Sequence, residues 1–343
     1  MKKNNKKNKK KKLFIIVIIL DIIMAICYFL AYGPIGYFRT LIITSSMTTK
    51  SHKYIARTLY SEKTIAKVLS ENQINEIGEN TDESEINFEK IKENDKYSSI
   101  YEEQVLKKDK GNDLYKIVEL SGSGYKGYMV VIYDASRITL AATKSLGYSG
   151  QILRDITKNS NAILGINAGG FADAGGVGSG GEPTGTVISN GKILYQGGAT
   201  GWSGGLVGFN KNHVLVLTKE SPKKAIENGM VDAIEFGPFL VVNGKKAVTK
   251  GNGGGGVASR TVIAQRKDGI VLFFVIDGRQ PGYSLGITMA NMADLVFKYG
   301  AYNASNLDGG ASTTLVVKNK LINKPCGIGG TGERRLPNAW IVK

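Results

Sequence analysis

A single apolar segment near the amino terminus constrains this chain more than any other feature. Residues 13–32 (LFIIVIILDIIMAICYFLAY) carry one charged side chain, Asp21. At a rise of about 1.5 Å per residue, a helix of that length spans the roughly 30 Å hydrocarbon core of a bilayer. Residues 1–12 precede it with eight lysines and no acidic side chain. Because lysine-rich flanks stay in the cytoplasm, the sequence predicts a single-pass cell-membrane protein whose amino terminus is cytoplasmic and whose larger part is extracytoplasmic.

Two other interpretations of this region are weaker. A cleaved signal peptide has an apolar stretch of about 7–15 residues and a small-residue cleavage site, whereas this stretch is longer and is followed by residues 33–37 (GPIGY). A lysine run can bind nucleic acid, but here the apolar segment follows it directly. We therefore expect an uncleaved anchor, with the membrane as a partner and no nucleic acid.

The composition changes twice after the apolar segment. Residues 49–72 have a partly helical apolar spacing, and residues 71–113 are acidic and polar with few large apolar groups. Such a composition buries little surface, which predicts a stalk and a spacer. The predicted organisation is a lysine-rich tail (1–12), an anchor (13–32), a helical stalk with an acidic spacer (33–113) and one large domain (114–343).

The large domain has the pattern of a sheet-rich fold. Glycine makes up 44 of the 343 residues, about twice the usual share, and most glycines follow residue 120. Short β-rich runs alternate with turns, and Asn-Gly pairs at 190–191 and 243–244 are typical of hairpins. A helical spacing is clearest at 288–299. We predict an α+β domain with a mixed or antiparallel sheet and few helices.

The residue inventory excludes several kinds of catalytic site. The two histidines, His52 and His213, are too few for a histidine-rich zinc site. Two G-x-S-x-G matches, at 201–205 and 282–286, lack the downstream histidine that a serine hydrolase needs. The two cysteines, Cys27 and Cys326, cannot form a disulfide within the large domain.

Two glycine-rich runs, at 175–181 and 251–256, interrupt the large domain. Their backbone N–H groups could cradle phosphate, but neither run continues into the Lys-Ser/Thr of a P-loop. We expect surface loops whose lengths suit active-site lids.

Charged and amide side chains recur where predicted strands end. Paired carboxylates without histidine suit glycoside cleavage, in which one carboxyl protonates the leaving group and the other acts as base or nucleophile. Arginines suit phosphate, because the guanidinium offers paired donors. Together they indicate a sugar that carries phosphate. The strand-end elements are Asn167, Glu182, Arg260, Asp277 with Arg279, the run 308–313 and the Arg334-Arg335 pair.

Five motifs in this region, in this order, resemble the phosphodiester glycosidase family. They are NAGGF (167–171), SRTVIAQRKDG (259–269), VIDGR (275–279), the G-x-T-x-x-x-x-A-x-L run at 286–295 and NLDGGASTTLVV (306–317). The resemblance covers roughly residues 120–343 and implies hydrolysis of the glycosidic C–O bond of sugar-1-phosphodiesters. The anchored architecture is similar to bacterial members associated with exopolysaccharide.

The resemblance and the residue chemistry together give expected roles. A Ca²⁺ or Mg²⁺ ion on two of the carboxylates, Asp277 and Asp308, is possible because hard cations favour oxygen ligands; no other cofactor is expected. The acid/base candidates are Asp277, Asp308 and Glu182. The substrate-binding candidates are Arg260, Arg279 and Arg335 for the phosphate, and Asn167, Thr288 and Ser312 for hydroxyls.

Two alternatives stay open. A non-catalytic, membrane-anchored scaffold that binds phosphate-rich envelope polysaccharide would need the arginines but not the carboxylates. A transferase would use the same bond chemistry with a sugar acceptor in place of water. The sequence leaves open the sugar, the polymer, the stereochemistry, protein partners and the oligomeric state.

Overall fold

The computed structural model describes residues 2–49, 52–88, 96–172, 179–198, 204–327 and 332–343, with side chains from Lys10 onward. The chain divides into two compact units, Met1–Ser70 and Glu71–Lys343. The described residues form eight α-helices: α1 (Lys2–Tyr32), α2 (Gly36–Met47), α3 (Lys53–Leu59), α4 (Glu62–Glu71), α5 (Ile100–Leu106), α6 (Leu153–Asn159), α7 (Pro222–Glu227) and α8 (Met289–Lys298).

The same residues form nineteen strands, and every strand pairing among them is antiparallel. The strands are β1 (Gln73–Asn75), β2 (Tyr115–Gly122), β3 (Tyr125–Ile132), β4 (Ile138–Ala142), β5 (Leu164–Asn167), β6 (Val187–Ser189), β7 (Lys192–Tyr195), β8 (Gly205–Asn210), β9 (Leu215–Thr218), β10 (Met230–Phe236), β11 (Phe239–Val242), β12 (Lys245–Lys246), β13 (Val248–Lys250), β14 (Arg260–Arg266), β15 (Val271–Ile276), β16 (Ala301–Asn306), β17 (Leu315–Val317), β18 (Lys320–Leu321) and β19 (Asn338–Val342).

The first unit is helical and contains the predicted apolar helix. Lys10–Tyr32 forms a continuous helical span of 23 residues, within which an 18-residue window has a mean hydropathy of 3.0. By length and composition it is able to cross a membrane, as a signal sequence or as an anchor.

The helix predicted at 49–72 is interrupted. It consists of α3 and α4, separated at Tyr60 and Ser61. The hydroxyl of Ser61 accepts a hydrogen bond from the N–H of Thr64 at 3.2 Å, so Ser61 caps the start of a new helix. The apolar spacing continued across this break, and for that reason periodicity alone did not reveal it.

The second unit is the predicted α+β domain. Its largest sheet has seven strands in the order β12-β11-β16-β14-β15-β3-β2, and two five-stranded sheets have the orders β7-β6-β10-β8-β9 and β18-β17-β5-β19-β4. Both predicted Asn-Gly hairpins are confirmed, between β6 and β7 and between β11 and β12. Their asparagines and glycines have positive φ, as two-residue hairpin turns require.

Both faces of the seven-stranded sheet are buried, because side chains alternate across a strand. In β3, Val131 belongs to the same hydrophobic cluster as Met292 and Val296 of α8. Its neighbour Ile132 belongs to the cluster that includes Trp340 of a five-stranded sheet. The large sheet therefore lies between a helical layer and a layer of shorter strands.

The second unit begins at Glu71, inside the segment whose composition predicts a spacer. Residues 73–75 form β1 and pair with β13, and Val105 of α5 is fully buried. Many other contacts of residues 71–88 are polar, such as the Glu79–Lys245 ion pair at 2.6 Å. The spacer was predicted from its low apolar content, and low apolar content does not exclude polar contacts of this kind. The domain boundary at residue 114 stays a prediction.

Candidate active site

The antiparallel register brings several of the predicted residues to one edge of the seven-stranded sheet. Arg260, the first residue of β14, pairs with Ile276 at the end of β15. Two residues further along β14, Val262 pairs with Asn306, the last residue of β16. Asp277 and Asp308 follow those two strand ends, so both lie at the edge where β14 begins. We call this edge the rim.

Asn167 fixes the backbone around Asp308. Its Nδ2 donates to the carbonyl of Asp308 at 2.6 Å, and its Oδ1 accepts from Thr261 Oγ1 at 2.8 Å and from the N–H of Thr314 at 3.1 Å. The N–H of Asp308 donates to the carbonyl of Ala168 at 3.0 Å. Asn167 is fully buried, and its described bonds join strands rather than face a ligand. The half-buried side chain of Asp308 extends from a backbone held on both sides.

Arg260 is the most unusual charged side chain of the rim. Only 6% of it is exposed, and its Nη2 donates to the carbonyls of Gly255 and Gly256, each at 3.0 Å. Its Nε has no hydrogen-bond partner among the described residues. Burial, and secondly the like charge of Arg279, lower the pKa of Arg260 to about 10. The guanidinium therefore stays charged at neutral pH with no counter-ion among the residues that the structure describes, which costs free energy unless an anion binds.

Arg279 supplies a second, exposed guanidinium at the rim. Its backbone is in the left-handed region (φ 59°), held by an N–H bond to the carbonyl of Leu285 at 3.0 Å. Its Nη1 lies 3.0 Å from the position that a Cβ would occupy on Gly310. Across the described ranges, neither Arg260 nor Arg279 forms an ion pair with a carboxylate.

The sequence analysis did not assign a role to Ser259, although it is part of the SRT motif. Its buried Oγ donates to the carbonyl of Gly310 at 2.7 Å and lies 3.6 Å from Cys326 Sγ. Ser259 thereby fixes the turn that follows Asp308. Its position next to Arg260 in the sequence was the signal that could have found it.

Asp277 is bound on both carboxylate oxygens by protein donors. Asn323 Nδ2 reaches Oδ1 at 2.8 Å, Tyr283 Oη reaches Oδ2 at 3.0 Å, and the N–H of Lys324 lies 3.1 and 3.2 Å from the two oxygens. Burial raises the pKa of Asp277, and these hydrogen bonds offset part of the rise. The carboxylate therefore joins two loops next to Arg279. Acid/base catalysis by Asp277 stays a prediction.

Thr288 and Ser312 occupy structural positions in the described contacts. Thr288 Oγ1 accepts from the N–H of Asn291 at 3.1 Å and caps α8. Ser312 is buried in a 3-10 turn at Gly310–Ser312, which begins at the second glycine of the DGG sequence. Their proposed contacts with substrate hydroxyls stay predictions.

Glu182 and Arg335 lie in a second group of contacts, around the NAGGF motif. The carbonyl of the exposed Glu182 accepts from the N–H of Ala172 at 2.8 Å, and Arg335 Nη1 donates to the carbonyl of Gly150 at 3.1 Å. The neighbouring Arg334 stacks on the ring of Phe171, with its Cζ 4.8 Å from the centroid. The described bonds of Arg335 therefore do not join it to Arg260 and Arg279.

Both carboxylate oxygens of Asp277 accept hydrogen bonds from N–H and O–H groups of the protein. Among the described residues, no group of three or more His, Cys, Asp or Glu side chains is arranged to hold a metal ion. A divalent cation on Asp277 and Asp308 stays a prediction. Residues 175–178 of the first glycine-rich run, and residues 201–203 of one G-x-S-x-G match, lie outside the described residues.

The second glycine-rich loop presents carbonyl groups to Arg260, rather than the N–H groups of a phosphate cradle. The carbonyls of Gly255 and Gly256 hold Arg260, so this part of the loop presents acceptors to a cation. Positive φ values at Gly251 and at residues 253–256 explain the glycine run, because L side chains rarely adopt this conformation.

A comparison of the sequence with family models identifies its class. The phosphodiester glycosidase model matches residues 160–343, just over half of the chain, and the chain therefore belongs to the phosphodiester glycosidase family. The rim residues Asn167, Arg260, Arg279 and Asp308 all lie in the matched range.

Two curated relatives match part of this chain. It is 29% identical over 175 residues to the SPbeta prophage-derived uncharacterized protein YomE of Bacillus subtilis (strain 168), a match covering 49% of this chain and 26% of YomE. It is 26% identical over 162 residues to the N-acetylglucosamine-1-phosphodiester alpha-N-acetylglucosaminidase of Bos taurus, covering 42% of this chain and 30% of that protein. The chain thus spans less than a third of the length of these relatives.

A solved structure is similar in fold. The catalytic domain of zebrafish N-acetylglucosamine-1-phosphodiester alpha-N-acetylglucosaminidase superposes with a TM-score of 0.55 at 18% sequence identity, covering 68% of this chain and 85% of that domain.

Proposed function

We propose that this protein is a membrane-anchored hydrolase that cleaves the glycosidic C–O bond of sugar-1-phosphodiesters in cell-envelope or exopolysaccharide-type glycans. The observation that carries the proposal is the pair of rim arginines. Arg260 is buried, its Nε has no partner among the described residues, and it senses the positive charge of Arg279, which forms no ion pair with a described carboxylate. Guanidinium groups offer paired N–H donors to phosphate oxygens, and two of them favour the extra negative charge that the phosphate gains when a phosphodiester becomes a phosphomonoester.

A second carboxylate of the rim, besides that of Asp277, belongs to Asp308. Its backbone is held by Asn167 and Ala168, and the turn after it is held by Ser259. Such support is what a general acid or base needs, because proton transfer requires a fixed distance. We assign Asp308 as the first acid/base candidate and Glu182, beside the NAGGF motif, as the second.

The bond change follows from the leaving group. Water adds to the anomeric carbon, its proton passes to a carboxylate, and the C–O electron pair leaves with the phosphate oxygen. The product is a free sugar and a phosphomonoester. The two arginines would stabilise the charge that develops on the phosphate, so the leaving oxygen requires little protonation.

Family membership and the apolar helix support the remaining parts of the proposal. The bovine relative is named for N-acetylglucosamine-1-phosphodiesters, which makes this sugar the first to test. The lysines at the start of α1 support a single-pass topology with the amino terminus in the cytoplasm, as expected for an enzyme that acts on envelope glycans.

The proposal is tested with the full-length protein in detergent and water enriched in oxygen-18. The substrates are UDP-N-acetylglucosamine, a simple N-acetylglucosamine-1-phosphodiester and a teichoic-acid fragment. We expect the label in the free sugar and none in the phosphate. Label in the phosphate would mean P–O cleavage and would overturn the mechanism.

The other outcomes separate the alternatives. Saturable binding of the polymer without turnover would indicate the scaffold. A sugar acceptor that competes with water for the transferred sugar would indicate a transferase.

A further inference from the structure

We propose that residues 72–76, which precede the matched family region, position the active site from outside it, with Asn72 and Glu76 as positioning residues. This inference rests on the proposed function, because it concerns how Arg260 and Asp308 are held. The segment includes β1 and lies within the second compact unit.

The first contact holds the glycine-rich loop of Arg260. Asn72 is buried, with 8% exposed, and its Oδ1 accepts from the N–H of Asn252 at 2.9 Å. A Cβ on Gly251 would collide with the same side-chain oxygen, so the loop passes directly over Asn72. The Oδ1 of Asn252 then accepts from the N–H of Gly254 at 3.0 Å.

This loop ends at the acceptors of Arg260. The carbonyls of Gly255 and Gly256 take both described bonds of the guanidinium. Five residues of the loop are glycines with positive φ. Because glycine has no side chain, the loop has little side-chain packing of its own to fix its path. An external hydrogen bond at Asn252 therefore has a direct effect on where Arg260 is held.

The pairing of β1 with β13 adds to this contact. Gln73, next to Asn72, is the register partner of Lys250, the residue that precedes the loop. Strand pairing on one side and the Asn72–Asn252 bond on the other fix the entry to the loop.

The second contact supports the strand that leads to Asp308. The side chain of Glu76 is 4% exposed; its Oε1 accepts from the N–H of Phe239 at 2.6 Å and its Oε2 pairs with Lys219 at 2.9 Å. The turn before Phe239 is bound by Asn306, whose Nδ2 donates to the carbonyl of Gly237 at 3.0 Å. Asn306 ends β16, two residues before Asp308.

The segment thus contacts both sides of the rim. The Asn72 contact supports the loop that holds Arg260, and the Glu76 contact supports the strand that leads to Asp308.

Two residues that follow this segment, Glu79 and Asn87, have the same side chains as Glu76 and Asn72 but make neither contact. Glu79 is an exposed partner of Lys245, and Asn87 is exposed with no described side-chain bond.

Amide hydrogen exchange and kinetics on the full-length protein in detergent test the inference. In Asn72→Ala, the N–H of Asn252 loses its acceptor, and exchange there should rise about two- to ten-fold. Asn72→Asp keeps an acceptor oxygen and should restore slow exchange. In Glu76→Ala the rise should appear at Phe239 instead, whereas Glu76→Gln keeps that acceptor. Asn87→Ala and Glu79→Ala should change neither amide.

The functional readouts separate positioning from general stability. Asn72→Ala should raise KM for the sugar-1-phosphodiester about ten-fold with a smaller change in kcat, since Arg260 binds phosphate before and during the reaction. Asn72→Asp should recover most of the loss. Inorganic phosphate should slow exchange in the loop 251–256 of the wild type and have less effect in Asn72→Ala.

These outcomes distinguish the two hypotheses. If the wild type had no turnover, but phosphate still slowed amide exchange in its loop and did so less in Asn72→Ala, the proposed function alone would be refuted. Loop exchange and phosphate response that are the same in Asn72→Ala and the wild type would overturn the positioning role. The positioning role would also be overturned if inorganic phosphate did not change amide exchange in the wild-type loop. It would be overturned as well if Asn72→Ala had the same KM and kcat as Asn87→Ala.

Discussion

Arg260 and Arg279 bring two positive charges to one edge of the seven-stranded sheet, where burial of the first and the charge of the second lower the pKa of Arg260 to about 10. Like charges repel, and a buried cation loses hydration. Both costs fall when an anion binds between the two groups. The arrangement is therefore expected in a site that is completed by its ligand.

The first prediction concerns the shape of the buried cation. Lysine in Arg260→Lys keeps a positive charge but cannot bind the two loop carbonyls and present a further donor in one plane. We expect kcat/KM for a sugar-1-phosphodiester to fall about ten- to one-hundred-fold, the cost of a lost charge-assisted bond. Arg266→Lys is the matched control at the opposite end of β14, where Arg266 pairs with Asp268. Equal effects of both substitutions would remove Arg260 from the phosphate site.

The second prediction separates catalysis from binding. Asp308→Asn keeps the side-chain size and leaves the backbone bonds to Ala168 and Asn167 in place. Turnover should fall about 10²- to 10⁴-fold, the usual contribution of a general acid or base. Affinity for the polymer, measured by equilibrium binding, should stay within about two-fold, because the arginines are untouched. Retained turnover would transfer the acid/base role to another carboxylate, with Glu182→Gln as the next variant.

The third prediction concerns Asp277 and pH. Because burial raises its pKa in the folded state, the folded protein binds this proton more tightly than the unfolded chain. The corresponding stability is fully present below the ordinary aspartate pKa of about 3.9, and it is lost as the pH rises through the raised value. The wild type should therefore have a higher free energy of unfolding than Asp277→Asn, and this difference should grow as the pH falls from neutrality towards 4.

Urea unfolding at several pH values checks this prediction. At pH 7 the substitution should still cost about 1–3 kcal/mol, since the new amide N–H₂ would face the N–H of Lys324 in either orientation. The control is Asp294→Asn, whose carboxylate forms a surface ion pair with Lys246. A wild-type advantage that shrinks on acidification would contradict the raised pKa.

The sequence predicted the hairpins, the clearest helix and the strand ends of this structure because each depends on residues that are close together in the chain. Asn190-Gly191 and Asn243-Gly244 specify their own hairpins through positive φ. The helix predicted at 288–299 is present as α8, with Thr288 as its cap. The sequence analysis singled out charged residues that follow predicted strands, and the register of β14 with β15 and β16 places three of them, Arg260, Asp277 and Asp308, at one edge of the sheet.

What the sequence did not reveal depends on distant partners. Asn72 and Asn252 are far apart in the chain, and their bond leaves no periodic pattern. Nothing in the VIDGR motif indicates that both oxygens of Asp277 are bound by Asn323, Tyr283 and Lys324. A strand-end position predicts that a side chain lies at the rim, but the neighbouring loops decide whether it is available for chemistry.

The last prediction tests the close approach of Arg279 to the DGG turn. Gly310 has φ +62°, and a Cβ there would lie 3.0 Å from Arg279 Nη1. Gly191 has nearly the same backbone (φ +69°), but a Cβ there would meet nothing within 4 Å. Alanine at either position should cost roughly 1–2 kcal/mol of stability through left-handed backbone strain.

Only Gly310→Ala should also displace the guanidinium. We therefore expect similar thermal unfolding midpoints for the two variants, but a kcat/KM about ten-fold lower for Gly310→Ala, because a small displacement in a phosphate site weakens a charge-assisted bond. Steady-state kinetics with a sugar-1-phosphodiester supply the measurement. If Gly191→Ala lowers kcat/KM as much as Gly310→Ala, strain rather than the position of Arg279 is responsible, and Arg279 loses its assignment to the phosphate.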